Sequence, residues 1–69
     1  MTNTRKNEVD AKAFEVIQEI FRDNDYNMEQ SKLSLAVLIG QMVDQKMDEN
    51  EYGKYLKECL IYELKMLEK

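Results

Sequence analysis

Apolar residues recur at three- and four-residue steps along most of the chain, the spacing of one side of a 3.6-residue helix. Val9, Ala13, Val16, Ile17, Ile20 and Phe21 form the first stripe, widened by Phe14, and predict a helix near residues 8–22. Asn7 stands where an N-cap belongs, and Glu8 precedes Lys12 by the four residues that favour a surface ion pair. Residues 1–6 show no period and read as a flexible basic tail ahead of a single helical domain over 7–69. The stretch from Arg22 to Asn27 is polar and rich in Asp and Asn, the composition of a connection.

Asn27 and Gln30 have the offset of a capping box and start a second helix, near 28–47. Its middle, Leu35-Ala36-Val37-Leu38-Ile39, is apolar around most of the circumference, so it needs cover on more than one side. Asp48 and Glu51 repeat the capping-box offset, with Met47 and Tyr52 placed to close a hydrophobic staple over it. Glu49 and Glu51 complement the dipole of a helix that begins there. These signals predict a tight turn near Asp48 and a third helix near 49–67, whose inner face is Leu56, Cys59, Leu60, Leu64 and Leu67. One continuous helix from Met28 to Leu67 is the competing reading, and it leaves the start signal at Asp48 without a purpose. With no Pro and only Gly40 and Gly53, the breakers of short strands are missing. The expected fold is an all-α three-helix bundle.

Composition narrows the function classes. Sixty-nine residues make one domain, which buries only about 60% of the surface its unfolded chain exposes. The absence of His and the single Cys rule out an internal disulfide and a cysteine-based zinc site. No apolar run approaches the roughly 20 residues that cross a bilayer, and no secretory signal follows the basic start, so a cytoplasmic location is expected. The net charge of −4 argues against nucleic acid as the main partner.

The candidate chemistries lack parts. Asp23, Asp25 and Asn27 match the first, third and fifth places of an EF-hand loop, but Met28 stands where Gly is needed and Ser34 where a bidentate Glu closes the site. Cys59 has no His to activate it and sits between Leu56 and Leu60 as a small core residue. The carboxylate pairs Glu15 with Glu19 and Glu49 with Glu51 read as a solvated face and dipole compensation. No glycine-rich phosphate loop exists. We therefore expect no catalytic, cofactor or metal site and no small-molecule substrate.

Two binding readings remain. A dimeric DNA-binding regulator would use Arg5 and Lys6 as an arm and Lys54, Lys57 and Lys65 on the last helix, but that helix opens on Asp48, Glu49 and Glu51, which repel phosphate. The favoured reading is association with protein. Leu35, Val37, Leu38 and Ile39 point in several directions, Ala36 and Gly40 let another helix approach, and Ile61 lies among charges. A core this small is commonly supplemented by oligomerisation, so a homodimer through Leu35, Ala36, Val37, Leu38, Ile39, Gly40 and Val43 is expected. Tyr52, Tyr55, Tyr62 and Met66 form a second candidate contact surface. Asp23, Asp25, Glu29, Asp48, Glu49 and Glu51 form a candidate acidic surface for a basic partner. Size, acidity and missing catalytic groups are similar in kind to small regulators and inhibitors encoded by bacteria and their phages.

Overall fold

Helix α1 spans Asn3–Asp23 in the computed structural model, which describes residues 3–68. Its stripe turns inward as the spacing requires, with Val9 and Ala13 buried and Val16, Ile17 and Ile20 half-buried against the core. The helix starts earlier than its apolar pattern. Asn7 is therefore inside the second turn and is not an N-cap, and the backbone of residues 3–6, expected as a tail, is helical. No Pro or Gly interrupts that stretch, so packing that fixes Val9 lets the helix extend backwards through polar residues. Met1, Thr2 and Lys69 lie outside the described residues, as do the side chains of Arg5 and Lys6. Phe14 is a second departure: it is 63% exposed and does not join the inner stripe.

The corner at residues 24–27 holds two left-handed residues, Asp25 (φ 53°) and Tyr26 (φ 60°). It closes because the Tyr26 N–H donates to the Phe21 carbonyl at 2.7 Å, while the Asn24 side-chain amide donates to the Ile20 carbonyl at 2.8 Å and to Ser34 Oγ at 3.1 Å. Asn24 thus ties the end of α1 to the next helix. Asn27 caps that helix as its spacing predicts, its Oδ1 accepting from the Gln30 N–H at 3.0 Å.

Helix α2 covers Met28–Asp44, three residues short of the predicted end, and buries Ser31, Leu35 and Met42. Lys46 then takes the left-handed conformation (φ 58°), the usual way to stop a helix, although a Gly fits that conformation better. One turn of 3₁₀ helix, Met47–Glu49, leads to α3, Glu51–Leu67. The predicted turn near Asp48 is present and the continuous helix is not. The cap, however, is Asn50, whose Oδ1 accepts from the Gly53 N–H at 2.7 Å.

Gly53 explains the shift of two residues. It is buried, and a Cβ built there would coincide with the Met47 carbonyl group. Only a residue without a side chain lets the 3₁₀ turn lie against the first turn of α3. With Met47 held there, Asp48 sits outside the helix and accepts from Lys57 Nζ at 2.9 Å instead of capping. The staple of Met47 over Tyr52 gives way as well, and both side chains are exposed.

Helix α3 contributes Leu56 and Leu60 to the core, with Leu64, Leu67 and Cys59 half-buried around them. Ile61 is half-buried too, so it is not the exposed apolar residue its charged neighbours suggest. The three helices meet on a small centre of Val9, Ala13, Leu35, Met42, Leu56 and Leu60, within an envelope of 37 × 25 × 22 Å. Among the described residues there is no strand.

Candidate partner-binding surfaces

The central helix divides its apolar residues between two sides. Leu35 is only 1% exposed and belongs to the core, so it is not a surface contact, whereas Leu38 and Ile39 pack against that core but stay half-buried. Ala36, Val37, Gly40 and Val43 face outward, with Val37 52% exposed. Leu33, which the sequence reading passed over, is exposed beside them. The steps 33 to 36 and 37, 36 and 37 to 40, and 40 to 43 are each three or four residues, so these positions form one stripe along the outer side of α2. That same spacing, extended backwards from Ala36, was the signal for Leu33. A Cβ added at Gly40 would meet nothing within 4 Å.

A shallow groove of about 350 Å³ runs between α1 and α3. Ala13, Ile17 and Cys59 form its inner part, the first buried and the others half-buried. Phe14 from α1 and Tyr55 and Tyr62 from α3 line it with exposed rings. Asp10, Glu58 and Glu63 complete the lining, and among the described residues no Lys or Arg takes part. The Cys59 thiol donates to Asp10 Oδ1 at 3.5 Å, which joins the two helices across the groove. Of the four residues expected as a second contact surface, Tyr55 and Tyr62 line this groove, while Tyr52 and Met66 are exposed but do not line it. Sequence spacing placed the tyrosines on one side of α3. It carried no signal that Phe14 and Asp10 would come to face them from a helix some fifty positions earlier.

A smaller hollow of about 200 Å³ opens between the three helices and the 3₁₀ turn, lined by Val16, Leu38, Met42, Leu56 and Leu60 with Lys12, Gln41 and Gln45 among the polar residues.

The six residues expected as one acidic surface are not brought together. Asp23, Asp25 and Glu29 lie at the corner before α2, and Asp48, Glu49 and Glu51 at the corner after it. The 17 residues of α2 hold those corners apart by about 25 Å. Asp48 is half-buried, and the hydrogen bond from Lys57 holds its carboxyl below its ordinary value, against the opposing effect of desolvation. Lys57 is therefore engaged within the chain, whereas Lys54 is exposed. Among the described residues no three His, Cys, Asp or Glu side chains gather to hold a metal ion, and no helix is long and apolar enough to cross a membrane. In comparison with known proteins, the chain matches no family model, no curated sequence and no solved structure.

Proposed function

We propose that this protein acts by protein–protein association and not by catalysis, as a small helical regulator or inhibitor that is homodimeric through the outer side of α2. The observation that carries this reading is the outward stripe itself. Leu33, Val37 and Val43 are exposed together with Ala36 and Gly40 on a helix whose opposite side is already packed. Folding of one chain gives no reason for the arrangement, because Gly in mid-helix costs about 1 kcal/mol relative to Ala and the open space around Gly40 would admit a methyl group. A second copy supplies the reason. Large and small side chains alternate within one patch, so the patch complements itself, as a two-fold contact requires. The missing Cβ lets two helix backbones come close. Among the described residues, the buried apolar core of six is also slight, and association is a common supplement in chains of this size.

The test is sedimentation equilibrium across a dilution series, comparing the native chain with Val37→Glu. The native chain should move from dimer to monomer on dilution, and the variant should remain monomeric with unchanged helix content. A native chain that stays monomeric into the millimolar range rules out this use of α2.

A further inference from the structure

We propose that the groove between α1 and α3 binds an arginine-bearing helical segment of a partner protein. The inference rests on the reading of this chain as a protein-binding module and names the chemistry of what it binds. Charge gives the first argument. Among the described residues, the charged side chains that line the groove are Asp10, Glu58 and Glu63, all acidic, in a chain of net charge −4, so a cationic segment is drawn in and an acidic one repelled.

The rings give the second argument. Phe14 and Tyr62 are 63% and 65% exposed, and Tyr55 stands beside them in the same lining. A lone exposed ring needs no explanation, but three rings around carboxylates form an environment suited to a guanidinium, which stacks on aromatic faces and donates paired hydrogen bonds to a carboxylate. Lysine offers a compact, strongly hydrated charge and uses such a place less well. Asp10 is positioned for this by the thiol of Cys59, which donates to its Oδ1 at 3.5 Å and leaves the other carboxylate oxygen to a ligand.

Shape gives the third argument. The α3 side of the lining runs from Tyr55 to Glu63, about 12 Å or two helical turns. A helix laid along it presents side chains four residues apart on one side. Its apolar residues meet Ala13 and Ile17 while its arginines reach Glu58 and Glu63.

The experiment uses the full chain, isotopically labelled and followed by amide NMR. It is titrated with three short amphipathic peptides of one pattern, carrying arginine, lysine or glutamate at their polar positions. The arginine peptide is expected to shift resonances of residues 10–17 and 55–63 and to bind several-fold more tightly than the lysine peptide. The glutamate peptide is expected not to bind. Phe14→Ala and Tyr62→Ala change exposed side chains and should each weaken arginine-peptide binding by tenfold or more without lowering the melting temperature. Glu58→Gln with Glu63→Gln, which keeps size and removes charge, should weaken it similarly and flatten its salt dependence. Equal binding of the glutamate peptide, shifts confined to other surfaces, or indifference to these variants would overturn the proposal. Failure of all three peptides while the α2 dimer persists sinks the groove alone, whereas loss of the dimer with groove binding intact sinks only the self-association.

Discussion

The two glycines of this chain sit in opposite surroundings, and the same substitution should move stability in opposite directions. At Gly53, alanine places a methyl group on the Met47 carbonyl. The obstacle is backbone, which cannot rotate aside like a side chain, so the 3₁₀ turn must move. Overpacking of this kind costs roughly 1–3 kcal/mol. Displacing the turn also endangers the Asn50 cap, worth about 1 kcal/mol. The gain in helix propensity returns about 1 kcal/mol at most. The net loss is then about 1–3 kcal/mol, a large share of the roughly 3–10 kcal/mol expected for a domain of 69 residues. In melting temperature that is a fall of roughly 5–20 °C. At Gly40 nothing stands within 4 Å, so alanine gains propensity without a steric penalty. Its melting temperature should rise by about 4–8 °C in dilute solution, where the single chain is measured. The assay is thermal and urea unfolding of both variants followed by far-UV circular dichroism. If Gly53→Ala is as stable as the native chain, the account of why Asn50 and not Asp48 caps α3 is wrong.

Other predictions concern single groups. Because the folded Asp48 carboxyl titrates below its unfolded value, its bond to Lys57 contributes fully at neutral pH and is lost as pH falls through the lowered folded value. Urea midpoints of the native chain and Asp48→Asn should therefore differ at pH 7 and converge in strong acid, and a constant difference would contradict the linkage. Lys46 holds a left-handed backbone with a full side chain, so Lys46→Gly should stabilise the chain by about 0.5–1 kcal/mol in the same urea assay. Ser31 Oγ is buried and meets no hydrogen-bond partner among the described residues, so Ser31→Ala should be neutral or stabilising by about 1 kcal/mol; a loss of that size would show that the hydroxyl is satisfied in solution.

Helix number, helix type and the Asn27 cap were legible because they depend on residues within one or two turns of each other. The start of α3 was not. Asp48 and Asn50 both offer a capping side chain, and the choice is made by Gly53 against a carbonyl six positions earlier, a contact that spacing rules do not contain. The start of α1 was hidden for a different reason, since an apolar stripe reports where a helix is buried and not how far its polar end continues. On α2 the excess of apolar residues was plain. Their division was not, because which side faces out is decided by where α1 and α3 pack, and that assigned Leu35 inward and Val37 outward. Phe14 shows the same limit. It follows buried Ala13 directly in the sequence, yet its ring is exposed at the rim of the groove, as is that of Tyr62.

The two proposed surfaces do not overlap, and their separation has a consequence for binding. No residue of α2 lines the α1/α3 groove, and the outward stripe lies wholly on α2. Pairing through α2 would therefore leave both grooves open, one on each subunit. A dimer built this way is bivalent toward any partner that presents two basic helices, or toward an assembly that repeats one. Its second binding event is intramolecular, and avidity can then exceed the single-site affinity by about 10²-fold or more without any new contact. Val37→Glu should separate the two effects. On a surface sparsely coated with the arginine peptide, native and variant chains should dissociate at the same rate, since each binding event uses one groove. On a dense coating the native chain should dissociate far more slowly, while the monomeric variant shows no dependence on density. Equal rates for both chains on the dense coating would mean that the subunits do not hold their grooves so that both engage at once, even if each groove and the dimer were separately confirmed.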